Sequence, residues 1–349
     1  MKSSKVPIVI VLLSAFLFGL STPLCKLFVG DISAQMMAAL LYLGSGLGMT
    51  LTAALRSSLK TRTSRLSARE WVWFTGAMIF GGIAAPVALL LGLKAVSAAS
   101  ASLLLNLEGV FTALLAWFAF KENFDKRIAI GMVFIVSSGL ILCWQPIAIK
   151  DWQGGALLIV FACFFWAIDN NLMRKVSAAD PIELAAIKGW VGGSANLVIA
   201  TAFGAQVPAF GAMLPVLGIG FVSYGVSFCL FILALRHLGT ARTGAYFSTA
   251  PFIGTVVSLV LFNSNTSPQF WLAGCLAAIG VWLHISEKHE HEHLHLEMEH
   301  DHSHKHDEHH QHNHDGSELV GELHSHKHKH TQLKHHHDHY PDIHHRHEH

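Results

Sequence analysis

The chain has 349 residues, of which 52% are hydrophobic and only 13% charged, a composition outside the range of ordinary water-soluble domains. Its net charge of +1 conceals two opposite parts, since residues 1–288 carry 19 Lys and Arg against 10 Asp and Glu, whereas residues 289–349 carry 5 against 13. These figures exclude a soluble enzyme as the main body, and the sequence holds neither a G-x-x-x-x-G-K phosphate loop nor a nucleophile-and-base arrangement that would suggest nucleotide-driven pumping or hydrolysis.

Runs of about 20 apolar residues, long enough to cross a hydrocarbon core of about 30 Å, predict an all-α polytopic membrane protein. Ten helices are expected near Val6–Val29, Ile32–Leu55, Glu70–Leu93, Ser97–Phe120, Lys126–Trp144, Gly154–Lys175, Pro181–Phe203, Leu214–Leu235, Thr240–Phe262 and Pro268–Ser286. Lys2 and Lys5 precede the first run as they would in a signal peptide, but further runs follow at once, so it reads as an uncleaved first helix. Lys and Arg concentrate in the even-numbered links: Arg56, Lys60, Arg62, Arg65 and Arg69 after the second run, and Lys121, Lys126 and Arg127 after the fourth. Arg174, Lys175, Arg236 and Arg242 follow the sixth and eighth runs, while the odd-numbered links offer Lys94 and Lys150. Retention of positive loops in the cytoplasm then places both termini there, in an inner (plasma) membrane. Cys25, Cys143, Cys163, Cys229 and Cys275 all fall in apolar runs without a C-x-x-C pair and are expected to pack as free thiols.

Polar residues inside the runs are the candidates for chemistry, because a charge at that depth is costly unless paired, protonated or facing water. Lys26 lies near the outer end of the first run, where its side chain can snorkel to the interface, and Pro23 before it frees a carbonyl and favours a kink. Asn106 and Glu108 stand near the middle of the fourth, with Glu108 the leading candidate for a proton-linked or substrate-facing group. Asp169 and Lys188 sit equally far from a turn centred near residues 178 and 179, roughly 10 Å into the membrane at about 1.5 Å per residue. They are expected to pair across that hairpin, with Asn170 completing the hydrogen bonding. Trp166 and Tyr246 are aromatic candidates for lining a passage, to be weighed against ordinary packing.

The tail from residue 287 changes character. It holds 24 of the 26 histidines, with H-x-H strings at His289, His291, His293 and His295 and again at His300, His302, His304 and His306. With few large apolar residues it is expected to be disordered. Its imidazoles suit transition metals such as Zn²⁺, Ni²⁺ or Co²⁺; no bound cofactor is required by anything in the body, and no nucleic-acid partner is expected. A small-molecule substrate, the lipid bilayer, transition-metal ions and a second copy of the chain are the candidate partners.

The first half recurs in the second. LGLKAVSAASASLLLNLEGVF from Leu91 can be laid on LALRHLGTARTGAYFSTAPFI from Leu233, matching Lys94 with Arg236, and GLSTPLCK from Gly19 on AIDNNLMR from Ala167. Copies five helices apart must insert with opposite orientation, which is the inverted-repeat plan of many secondary transporters. The second copy has Ala250 and Pro251 where the first has Glu108 and Gly109.

One stretch carries a family likeness. Small residues at Ala98–Ser102, N-L-E-G at Asn106–Gly109, an aromatic-rich exit ending in Lys121 and Glu122, then Gly131 and Gly139 in the next run together resemble the EamA module of the drug/metabolite transporter superfamily. The resemblance implies two five-helix repeats, 1–146 and 147–286, followed by a tail from 287 to 349. It also implies a permease, not an enzyme, that exports a small organic metabolite by alternating access driven by an ion gradient. The second half departs from the pattern, with Ser264 in the place of Glu122. The competing readings are a divalent-metal exporter served by the tail and a membrane-anchored metal buffer that transports nothing.

Overall fold

The structure, a computed structural model, describes residues 6–56, 66–120, 126–143, 150–263 and 266–286, and in the tail the backbone of 293–295, 298–304, 324–330 and 333–335. The chain divides into two compact units, Met1–Glu287 and Lys288–His349. Among the described residues of the first unit, nine helices are long and apolar enough to cross a membrane. They are α1 (Val6–Lys26), α2 (Ala34–Arg56), α3 (Ala68–Ala95), α4 (Ala98–Phe118), α5 (Lys126–Cys143), α6 (Gly154–Arg174), α8 (Phe210–Leu238), α9 (Thr243–Phe262) and α10 (Pro268–Ile285). The remaining helix, α7 (Pro181–Ala202), has the length but not the same hydropathy, because it carries Lys188, Asn196 and the glycines Gly189, Gly192 and Gly193. It compensates by burial among its neighbours: Lys188 and Asn196 are both enclosed, and its glycines abut α2 and α3.

Helix starts follow local chemistry. Ser67 and Glu70 form a reciprocal capping box at α3, and Ser97, Asp180 and Ser267 accept first-turn N–H groups at α4, α7 and α10. One start differs from the sequence expectation. Helix α8 begins at Phe210, before Leu214, and Pro215 is accommodated inside it. Five residues past the helix start, the missing Pro215 N–H leaves only one carbonyl near the helix end without its usual donor. The outer faces carry large apolar side chains such as Val72, Phe118, Leu140, Val260 and Trp282, as lipid contact demands, while small and polar residues turn inward.

Interruptions of the helices repeat with the sequence. The alignment that pairs Lys94 with Arg236 also pairs Met78–Ala84 with Gly220–Val226, and both segments are π-helical turns inside α3 and α8. It further pairs Asn106 with Ser248, and at both positions a turn breaks the helix, α4 between Leu104 and Leu107 and α9 between Phe247 and Ala250. A wide turn or a break leaves backbone groups outside the regular ladder, and such places gather at functional sites. Helix α1 is interrupted as well, at Leu20, one turn before Pro23.

Close approach of backbones fixes the pairing of helices. A Cβ on Gly280 of α10 would stand 2.6 Å from the carbonyl oxygen of Gly131 in α5, and one on Gly189 of α7 would meet the backbone of Gly46 in α2. These two pairs, α5 with α10 and α2 with α7, each join a helix to its own repeat counterpart.

Arg56 at the end of α2 forms an ion pair with Asp180, which also accepts from the N–H of Ile182 at 2.8 Å and of Glu183 at 3.3 Å. Burial works to raise the pKa of Asp180, but the hydrogen bond from Arg56, the two backbone N–H groups and the guanidinium charge outweigh it and hold the carboxyl below its ordinary value. A depressed native pKa means that the stabilisation is complete above the unfolded carboxyl's value near ~3.9 and is lost as pH falls through the lower native value. Asp180→Ala is therefore expected to destabilise the protein by about 1 kcal/mol at neutral pH. The gap from wild type should close below about pH 4, as seen in melting curves across pH; a gap independent of pH would contradict this role.

In the tail, where composition suggested no regular backbone, four short strands pair antiparallel: His293–His295 with Leu333–His335, and Met298–His304 with His324–His330. Two-stranded pairs of this kind are marginal in water by themselves. His289, His291 and His306 lie outside the described residues, as do Lys121, Glu122 and Ser264.

Candidate functional site

The break in α4 is where the site begins. The turn at Leu105 and Asn106 is closed by short-range bonds, Asn106 N–H to Leu103 O at 3.2 Å and Asn106 Nδ2 to the same carbonyl at 3.0 Å. A new helical segment, Leu107–Phe120, starts there with Glu108 in its first turn, so the carboxylate projects from mid-membrane into the bundle. Glu108 Oε1 accepts a hydrogen bond of 2.8 Å from Asn170 Nδ2 of α6. Glu108 keeps some accessible surface although protein encloses it, because it faces a cavity.

The residue beside Asn170 serves a second centre. Asp169 Oδ2 accepts from Lys188 Nζ of α7 at 2.5 Å, with both side chains only 5% exposed. The ammonium also stands 4.6 Å from the Phe228 ring centroid. Room for this pair comes from α3: a Cβ on Gly81 would overlap the Asp169 carboxylate. Gly81 lies in the π-turn, where its carbonyl accepts from Tyr42 Oη and that of Gly82 from Asn196 Nδ2 at 3.0 Å. Asp169 Oδ1, by contrast, has no hydrogen-bond partner among the described residues.

Two cavities meet here. The first, about 120 Å³, is lined from α4 by Ser102, Glu108, Gly109 and Thr112, from α1 by Phe18, Gly19 and Thr22, from α6 by Asn170, and from the second half by Phe231, Phe247, Ser248, Pro251 and His284. The second, about 60 Å³, is lined by Tyr42, Trp166, Asp169, Lys188, Ser223, Tyr224 and Phe228. Phe18, Glu108, Asn170, Phe231 and Phe247 line both and so form the wall between them. Phe247 packs on Phe18 and Phe231 with ring centroids 5.4 and 4.9 Å apart. The first cavity also reaches Trp117, Ile128, Gly244 and His284, which lie toward the ends of membrane spans next to an even-numbered link or the tail.

Of the residues singled out from sequence, Glu108, Asp169, Asn170, Lys188 and Trp166 come together around these cavities. Asn106 holds the helix break and lines neither. Lys26 donates to the carbonyls of Leu93 and Val96, closing the end of α3, and Tyr246 packs with Val11 and Leu238. Among the histidines of the tail, His293, His295, His300, His302 and His304 have a described backbone alone. The aromatic wall of Phe18, Phe231 and Phe247 was not singled out from sequence, since nothing in an apolar run distinguishes a cavity-lining phenylalanine from a lipid-facing one. The paired π-turns had a faint signal in Gly81–Gly82 and in Gly220 and Gly225.

The geometry defines a class: a polytopic helical membrane protein of two similar halves enclosing a polar site at paired helix breaks. The chain belongs to the EamA-like transporter family, whose pattern matches it twice, over residues 5–144 and 153–286. It is similar to an uncharacterized transporter of Methanothermobacter thermautotrophicus, with 24% identity over 289 residues that cover 78% of this chain and 84% of the relative. It is also similar to the uncharacterized transporter YyaM of Bacillus subtilis, with 23% identity, 73% of this chain and 86% of that protein. A crystal structure with 17% sequence identity shares the fold with a TM-score of 0.62, covering 80% of this chain and 96% of its own.

Proposed function

We propose that the protein is a secondary transporter that moves a small organic metabolite out of the cell by alternating access, with the first cavity as its substrate site. One observation carries this reading: Glu108 projects from a helix break into a cavity lined by both halves of the bundle, the place where inverted-repeat transporters hold substrate. The cavity reaches toward the Lys- and Arg-rich links, and with those links in the cytoplasm this favours reading it as an inward-facing site. Loading from the cytoplasm, with both termini inside an inner membrane, supports export. The wall of Phe18, Phe231, Phe247 and the Glu108–Asn170 bond serves as the barrier that must rearrange. Repeats 1–146 and 147–286 rock against each other in this account, and the tail of 287–349 binds Zn²⁺, Ni²⁺ or Co²⁺ as a sensor.

A metal-exporting body has less support, because the described residues contain no group of three His, Cys, Asp or Glu side chains that could hold a metal ion. Counterflow in proteoliposomes, run with a panel of organic solutes and of metal ions on the intact chain and on one cut after Lys288, tests the proposal. Organic counterflow should survive truncation and lose only its response to metal. Accumulation of metal ions with no organic solute moved would overturn it.

A further inference from the structure

The cavity that the proposed function assigns to substrate also has a charge character. Among the described residues, Glu108 is its one carboxylate and no Lys or Arg lines it. The nearest buried ammonium in the wall region, Lys188, faces the second cavity and is matched by Asp169 at 2.5 Å. His284 also lines the cavity, with Nε2 3.2 Å from the Ile128 carbonyl oxygen. Asn170 is neutral and satisfies Oε1 of Glu108 alone among the carboxylate's oxygens. An ionised Glu108 thus has no countercharge among the described residues that line the first cavity, and in the second, which Glu108 also lines, the Lys188 ammonium is already matched by Asp169. A second, independent observation is Ser102, which is buried, lines the cavity, and has an Oγ with no hydrogen-bond partner among the described residues. The remaining surface is aromatic and aliphatic, with Phe18, Trp117 and Phe247 presenting rings.

We propose that this cavity binds small organic cations, primary amines with an apolar or aromatic body, whose ammonium sits on the Glu108 carboxylate. The ammonium has three N–H donors, of which Glu108 takes one or two; Ser102, which lines the same cavity, carries a hydroxyl with no partner among the described residues. Aromatic faces attract a cation and cover its hydrocarbon body at once. A carboxylate ligand would instead face Glu108 with no cation to receive it, a like-charge contact in an enclosed site. This inference rests on the first cavity being the substrate site, but it makes a separate claim about charge.

Four probes of one shape isolate that claim: 2-phenylethylamine, neutral 2-phenylethanol, anionic 3-phenylpropionate and zwitterionic phenylalanine. Binding to the full chain in detergent is measured by calorimetry, and counterflow of the same probes in proteoliposomes. The amine should bind at least about tenfold tighter than the other three. Glu108→Gln, which keeps shape and loses charge, should erase the difference, while Glu108→Asp should keep it in weaker form; elution as a single species checks that each variant is folded. Preference for the acid or zwitterion, equal amine binding by Glu108→Gln, or no binding of the amine would each overturn the proposal. Glu108-dependent amine binding without counterflow of any solute would uphold the charge assignment and defeat transport. Counterflow of the acid alone would do the reverse.

Discussion

Replacing Lys188 alone with methionine is expected to destabilise the bundle by about 3–5 kcal/mol, because it strands the Asp169 carboxylate in a site where both side chains are only 5% exposed. Asp169→Asn should cost a comparable amount by stranding the ammonium, which keeps only the Phe228 face at 4.6 Å. Changing both together should recover most of the loss, since a neutral pair of similar size no longer carries the desolvation penalty of two ions. Gly81, whose missing Cβ makes room for the carboxylate, offers a third route: Gly81→Ala should behave like loss of Asp169. Thermal unfolding of the purified variants in detergent measures this. Additive losses in the double variant would mean that the two charges act separately and that their contact is incidental.

That contact was legible in the sequence because it is local. A short turn between α6 and α7 brings positions equidistant from it side by side, and few partners exist for an ion at that depth. The Glu108–Asn170 bond was not legible in the same way, since it joins residues on α4 and α6 whose contact depends on how the whole bundle packs. Glu108 itself stood out as a carboxylate in an apolar run, and the N-L-E-G stretch with its weaker copy pointed to the family and the repeat. The copy gained weight from features invisible to hydropathy: paired π-turns at Met78–Ala84 and Gly220–Val226, and paired breaks at Asn106 and Ser248. Lys26 shows the opposite case. As a charge near a helix end it invited a role in the passage, but the carbonyls left unpaired where α3 stops at Ala95 receive its amino group. The start of α8 was misplaced for a physical reason as well, because a proline near a helix start looks like a boundary when up to a turn of helix can precede it. The division of roles among the phenylalanines had no local signature at all, since hydropathy treats an inward ring and an outward ring alike.

If the protein works as proposed, the cavity at Glu108 opens to one side of the membrane at a time. Ser102 can report on this: it lines the cavity, and its hydroxyl has no hydrogen-bond partner among the described residues. Cys25, Cys143, Cys163, Cys229 and Cys275 would first be replaced, and then Ser102→Cys introduced. In sealed inside-out and right-side-out vesicles, a membrane-impermeant thiol reagent should reach this cysteine from the side of the even-numbered links when no substrate is present, if the protein rests in the proposed inward-facing state. With transported substrate on both sides, reaction from the opposite face should rise by about tenfold or more as the outward-facing state becomes populated. Equal reaction from both faces whether or not substrate is present, or reaction from one face that substrate leaves unchanged, would contradict alternating access through this cavity.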